Sequence, residues 1–210
     1  PILMSSGLST AGLKQAKDNN GYDQLIGNIG KRFLQPVNIA EYQLTRIIET
    51  LVPDRFPHNE YSERPERATG AAINVASLLL KTILNNLHHL TGGHLMVFIS
   101  GVCTFGPGKI VDKLLKEPLR SHHDIIKAQT TTIQTPSTSH VAKSDINLFK
   151  QAKKFYEGIT KTLVTLGLSC DFFIGSYDQV GLYEMDEVCY KTGGSVVLSD
   201  SFSTAIFKQS

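Results

Sequence analysis

The sequence predicts an α/β fold with a doubly wound, mainly parallel sheet, and three observations carry that prediction. The first is a set of short apolar runs, each ending in small or polar residues. Leu95-Met96-Val97-Phe98-Ile99 lies between Gly92-Gly93 and Ser100-Gly101, Cys170-Asp171-Phe172-Phe173-Ile174 ends at Gly175-Ser176, and Ser195-Val196-Val197-Leu198 ends at Ser199-Asp200. Runs this short and apolar suit strands buried on both faces of a parallel sheet. The second is helical periodicity between the runs. The third is their order, helix and strand in alternation, which calls for right-handed crossovers. Three strands make a thin sheet, so further strands are expected N-terminal to these.

Each element has a local reason. Residues 1–31 are rich in Gly, Ser, Asn and Lys and read as a variable, loop-rich lead-in. From Arg32 to Ser210 the texture is that of one α/β portion. Tyr42, Leu44, Ile47, Ile48 and Leu51 recur at helical spacing until Pro53 stops the helix. The segment 53–66 holds three prolines and reads as loop. The next helix is expected from Thr69 or Gly70 to about Leu87. Its polar face is Asn74, Ser77, Lys81 and Asn85, a stripe of only about 80°. A helix so apolar elsewhere is expected to be covered on several sides. Residues 147–166 form another helix, with Leu148, Ala152, Phe155, Tyr156, Ile159, Leu163 and Leu166 on the inner face. Lys150, Lys153, Lys154, Glu157 and Lys161 take the outer arc. A shorter helix is expected from about Val180 to Tyr190, before Gly193-Gly194. A last one begins near Ser201, with Asp200 or Ser201 as N-cap. Residues 128–144, rich in Thr and Ser with no acidic residue, read as an insertion loop.

Composition excludes several classes. With 21 Lys and Arg against 19 Asp and Glu, the net charge of +2 gives no case for nucleic-acid binding. Cys103, Cys170 and Cys189 are odd in number and widely spaced, which disfavours a disulfide framework or zinc ribbon and suits a reducing compartment. No apolar run approaches the roughly 20 residues of a membrane span. The chain starts at Pro1 and shows no signal-peptide pattern, and it reads as an excised portion of a longer protein.

Candidate chemistry is sparse. The stretch Ser100-Gly101-Val102-Cys103-Thr104-Phe105-Gly106-Pro107-Gly108-Lys109 follows a strand, where ligands of open α/β sheets bind. It matches no dinucleotide or phosphate-loop spacing, and Pro107 removes one amide donor, so a rigid structural loop is expected. His122 and His123 are adjacent and point in different directions, which disfavours a shared ion. Together with Arg120 and Asp124 they read as a polar, exposed binding loop. His88, His89 and His94 lie near a helix end, a structural position for imidazole. Cys103 has no arguable base beside it to make it a nucleophile. Thr69 and Ser100 stand where von Willebrand factor A-type domains place a Thr and an Asp around a metal ion. A hydroxyl in place of the carboxylate removes the charge a hard cation requires, and no D-x-S-x-S occurs. An A-type fold without its metal site is the expectation.

Longer strings then identify a relative. RFLQPV (Arg32–Val37), ATGAAINVASLLL (Ala68–Leu80), GGHLMVFISG (Gly92–Gly101), FGPG (Phe105–Gly108) and KEPLRSHHDI (Lys116–Ile125) resemble the Sec twenty-three family. KKFYEG (Lys153–Gly158), DQVGLYEM (Asp178–Met185), TGGSVVLSDSF (Thr192–Phe202) and FKQS (Phe207–Ser210) extend that resemblance through the C-terminal half. The family is the inner-coat, GTPase-activating subunit of the COPII vesicle coat, and these residues resemble the later half of its von Willebrand A-like trunk domain. The resemblance implies no enzyme activity here, since the activating arginine comes from a separate helical domain and Arg120 is not that residue. It implies no cofactor, the family's zinc belonging to another domain. The implied partners are the coat small GTPase in its GTP form, the cargo-binding inner-coat subunit and the outer-coat subunit. Peripheral contact with endoplasmic reticulum exit sites and vesicle membranes would follow from the assembled coat, in the cytoplasm. Expected contact residues are Arg120, His122, His123, Asp124, Asp200, Ser201, Phe202 and Phe207, with packing of a short amphipathic helix as the plainer role for the two Phe. The rival reading is a free-standing A-type domain that binds a protein ligand through a divalent ion, and a nucleotide-dependent enzyme comes third.

Overall fold

A computed structural model describes residues 35–52, 63–86, 92–115, 119, 121, 123–126 and 143–209. By its contacts the chain divides into two units, residues 1–57 with 79–90 and residues 58–78 with 91–210.

In the first unit, helix α1 spans Val37–Thr50. It starts directly after Pro36, whose carbonyl accepts hydrogen bonds from Ile39 N and Ala40 N at 2.9 and 3.0 Å. Its apolar residues Val37, Ile39, Tyr42, Leu44, Ile47 and Ile48 are all exposed. Helix α2, Thr69–Asn86, begins in the second unit and ends in the first.

The second unit holds the sheet. Strand β1 is Gly93–Ile99, β2 is Leu168–Gly175 and β3 is Val196–Ser199. They lie in the order β1-β2-β3 and pair in parallel, with Ile99 opposite Ile174 and Ile174 opposite Leu198. Helix α3, Lys143–Thr165, crosses from the β1 side to β2. Helix α4, Leu182–Tyr190, and helix α5, Ala205–Gln209, flank β3 in sequence. The three-stranded parallel sheet and the alternating order are those the sequence predicts.

The core lies under one face of this sheet. Cys170, Phe172 and Ile174 of β2 and Ile99 of β1 are fully buried there, with Ala152, Tyr156, Ile159 and Leu163 of α3 and Met185, Val188 and Cys189 of α4. Helices α3 and α4 pack on each other and on β2. Phe149 stacks on Tyr183 at 5.6 Å, and Lys153 Nζ stands 4.4 Å over the same Tyr183 ring. The predicted inner face of α3 is the observed one, and its outer lysines Lys150, Lys154 and Lys161 are exposed.

Three expectations need correction. The strands are not buried on both faces among the described residues: Met96 and Phe98 of β1 are 60% and 64% exposed. Phe173 on the same face is half-buried, covered by the short α5. The predicted polar stripe of α2 is not its outer face. Ser77 is 1% exposed, with its hydroxyl donating to Asn74 O at 2.8 Å, while Val75 and Leu78 face outward. A Ser that returns its hydroxyl to its own helix loses its polar demand and can enter a core. The last helix begins at Ala205, and neither Asp200 nor Ser201 caps it. Thr204 does, its Oγ1 accepting from Phe207 N at 3.3 Å, the usual N-cap to third-residue geometry.

Candidate functional site

The carboxyl ends of parallel strands all point to one edge of a sheet, and loops on that edge carry function in open α/β folds. Here the edge is built from the loop after β1, the Ser176-Tyr177-Asp178 turn after β2, and the Asp200–Thr204 turn after β3.

The loop after β1 is held from below. Val102, Cys103 and Thr104 are buried, and Ile110 N donates to Cys103 O at 2.9 Å. Tyr156 of α3 donates its hydroxyl to Gly108 O at 3.1 Å, and burial pushes that phenol far above the ordinary range. Thr104 N and Phe105 N both donate to Arg67 O, at 3.0 and 3.1 Å, so these amides are committed inside the protein. A loop whose amides are spent in this way is a brace. Arg67 N in turn donates to Thr104 Oγ1 at 3.0 Å, and that hydroxyl donates to Pro65 O at 2.7 Å. The Arg67 side chain crosses the strand end. Its guanidinium lies so close over Gly101 that a Cβ there would stand 2.8 Å from Cζ. This is the position next to Ser100, and a fixed positive charge beside it opposes a divalent ion. Among the described residues no group of three or more His, Cys, Asp or Glu side chains is placed to hold a metal.

At the end of β2 and β3 an aromatic group covers part of the second sheet face and leaves Phe98 exposed. Phe98 stacks on Phe173 with centroids 5.0 Å apart, Phe207 meets Phe173 edge-on at 6.2 Å, and Phe202 meets Phe207 edge-on at 5.0 Å. Phe202 also sits on Gly175, where a Cβ would stand 2.9 Å from its ring and its backbone nitrogen. Both Phe side chains are half-buried against the sheet. Ser201 Oγ accepts from Ser203 N at 3.2 Å, and Asp200 is exposed.

The other predicted group lies on a different segment. Ser121 and Asp124 cap a single helical turn over 123–126: Ser121 N and Oγ donate to Asp124 Oδ2 at 3.3 and 2.6 Å, and Asp124 N donates back to Ser121 Oγ at 3.2 Å. Asp124 therefore holds its own turn, and His123 is exposed beside it. Arg120 and His122 lie outside the described residues, as do His88, His89, the lead-in 1–31 and most of the insertion 128–144.

Sequence reasoning missed two features. Tyr177, 87% exposed at the exit of β2, is the most exposed large side chain of the sheet edge. Its only signal was its place after Gly175-Ser176. The second is a cluster at the opposite, amino-terminal edge. His94 Nδ1 lies 3.2 Å from Asp171 Oδ2 and 2.7 Å from Ser169 Oγ. Asp171 Oδ1 accepts from Ser195 N at 2.8 Å and Ser195 Oγ at 3.0 Å. His94 is thus a strand residue that clips β1 to β2, a correction to its expected place at a helix end. Hydroxyl and carboxylate share one ring nitrogen, so the proton relay of a Ser-His-Asp triad, which uses opposite nitrogens, has no path here.

A three-stranded parallel sheet with α3 and α4 packed on one face, the short α5 against the other and a loop-built carboxyl edge makes this an α/β domain. Compared with known families, residues 13–210 match the Sec23/Sec24 trunk domain, and the chain belongs to that family. It is accordingly a structural domain of the COPII coat, which serves vesicle transport. Among the described residues no helix is long and apolar enough to cross a membrane.

Proposed function

We propose that this chain is the trunk portion of the GTPase-activating subunit of the COPII inner layer, acting as scaffold and protein-binding surface between endoplasmic reticulum and Golgi. The match to the trunk family over residues 13–210 carries this reading. The partners proposed are the coat small GTPase in its GTP form, the cargo-binding inner-coat subunit and the outer-coat subunit. Contact with the vesicle membrane is peripheral and comes through the assembled coat, on its cytoplasmic side. The trunk performs no catalysis; the activating arginine and the zinc site of the family belong to other domains.

Two loop groups are the proposed contact surface. One is Arg120, His122, His123 and Asp124. The other is Asp200, Ser201, Phe202 and Phe207, in which the half-buried Phe pair presents a rigid base and Asp200 an exposed charge. Aromatic residues that are already packed lose little side-chain entropy on binding, which favours them as anchors. The test is binding of the chain to the purified coat GTPase, loaded with a non-hydrolysable GTP analogue and, separately, with GDP. Preference for the GTP form is expected, with about tenfold weaker binding for His123→Ala or Phe202→Ala. Equal or absent binding to both forms, with the chain folded, overturns the proposed GTPase contact.

A further inference from the structure

We propose that the groove between α2 and α3 docks a short acidic segment of a partner protein, an apolar side chain of that segment resting on Phe155 and its carboxylates facing Lys154. Two cavities make the groove. One, of about 260 Å³, lies between the Gly106-Pro107-Gly108 turn and Leu148, Gln151 and Phe155 of α3. The other, of about 450 Å³, runs on between Asn74 of α2 and Gln151, Lys154, Phe155 and Gly158 of α3. They share Gln151 and Phe155, so the wall is continuous. The floor is preformed. The Phe155 ring meets Tyr156 edge-on at 5.4 Å and lies so close over Gly108 that a Cβ there would stand 2.7 Å from it. A ring already held in place loses little freedom when a partner covers it.

Gly158 points to an occupant from outside. It lies inside α3 and is exposed, its φ is not in the left-handed region, and nothing stands within 4 Å of where its Cβ would be. Gly weakens a helix interior, and here neither the backbone conformation nor internal packing requires one. What the missing side chain provides is room for another chain to approach closely. Charge selects that chain. The lining holds Lys154 and Lys109 and no carboxylate, and Lys109 is paired with Asp112 at 2.6 Å. Glu157, the acid nearest to Lys154 along α3, is held by Lys161 at 2.8 Å. Lys150, one turn from Lys154, is exposed and adds charge of the same sign. Asn74 and Gln151 bring primary amides, which both donate to and accept from a peptide backbone. A cation beside an aromatic floor fits a carboxylate with an apolar anchor. A phosphate needs more donors than this lining offers, and Pro107 has no N–H to give. The chain's own insertion 128–144 carries no acid and does not match the groove in charge.

The groove shares no residue with the two loop groups proposed to meet the GTPase, so this test and that one are read separately. The probe is an acetylated and amidated hexapeptide, a Leu-Phe pair flanked by two glutamates on each side. One counterpart has glutamines in place of the glutamates, and another has serines in place of the Leu-Phe pair. Each is titrated into the 15N-labelled chain while the Gly158 backbone amide and the Gln151 side-chain amide are followed. The acidic peptide is expected to shift both resonances saturably, binding about tenfold more tightly than either counterpart. Lys154→Gln should weaken it about fivefold. Gly158→Met, whose side chain is long enough to lie in the groove, should weaken it by about tenfold or more, read at Gln151. The same variant should melt a few degrees above the parent, because Met is the better helix former. Four results overturn the proposal: no saturable shift, equal affinity for either counterpart, unchanged affinity in Gly158→Met, or a lowered melting temperature in Gly158→Met that marks the space over Gly158 as one the fold itself needs.

Discussion

Asp171 shows how one side chain can tie three strands. It lies in β2, takes two hydrogen bonds from Ser195 at the entry to β3, and pairs with His94 of β1. The Ser195 backbone amide holds its carboxyl below the ordinary value of 3.8; burial opposes it as the next largest effect, and the His94 ring and the Ser195 hydroxyl add to the lowering. The folded chain therefore binds this proton less readily than the unfolded one. The stability it contributes is present in full above 3.8 and is lost as pH falls through the depressed value. Asp171→Asn is expected to cost on the order of 1 kcal/mol at pH 7, since these are charge-assisted bonds at a partly exposed site. Urea denaturation of both proteins at pH 7 and at pH 3 checks this: the difference between them should shrink at the lower pH. An equal difference at both would mean the carboxylate is not the source.

At the scale of elements, α5 is the instructive case. Five residues are too few for a helix to hold itself in water, so Ala205–Gln209 must be held by what it covers. Phe207 supplies the contact, edge-on to both Phe173 and Phe202, and Thr204 supplies the cap. Phe207→Ala is expected to destabilise the chain by about 2 kcal/mol, below the cost of a fully buried Phe because this one is half-exposed. Equilibrium unfolding measures it, and Phe207→Leu should recover more than half. A loss within 0.5 kcal/mol of zero, the ordinary range for surface positions, would leave Phe207 as a contact residue only. Packing and partner contact are compatible roles for these rings, since both are only half-buried.

Over the whole molecule, the three cysteines report on the core from separate elements. Cys103 lies in the loop after β1, Cys170 in β2 and Cys189 in α4, and each is buried and unpaired. Burial, with the neighbouring Cys189 and Asp171 charges, pushes the Cys170 thiol up to about 12, and burial likewise raises Cys189. A thiol is reactive only as thiolate, so Cys170 and Cys189 should be slow toward a disulfide reagent at pH 8 in the folded chain, and Cys103 should be slow because the reagent cannot reach a buried sulfur. Three thiols per chain should react at once in denaturant, and a fast-reacting thiol in the native protein would contradict the packing around β2.

Much of this protein was legible before its structure. The three strands, their order and the inner face of α3 follow from local apolar runs and helical spacing, because burial of one face is written into residues a fixed distance apart. So does the family, since its matching strings run through the chain in order. The candidate site was legible only in part. Asp200, Ser201 and Phe202 could be placed at a strand exit from the turn residues around them, but that Phe202 and Phe207 roof the sheet depends on Phe98 and Phe173 arriving from other strands. The outward face of α2 was misread because a Ser can satisfy itself on its own helix and turn inward. Arg67 drew no reading from the sequence. Only the folded chain brings its guanidinium onto Gly101 and sends the nearby acids Glu63 and Glu66 to Lys113, since charge pairing is a three-dimensional choice among several partners. Periodicity records which side of an element is buried. It carries no information on which groups, distant in sequence, meet there.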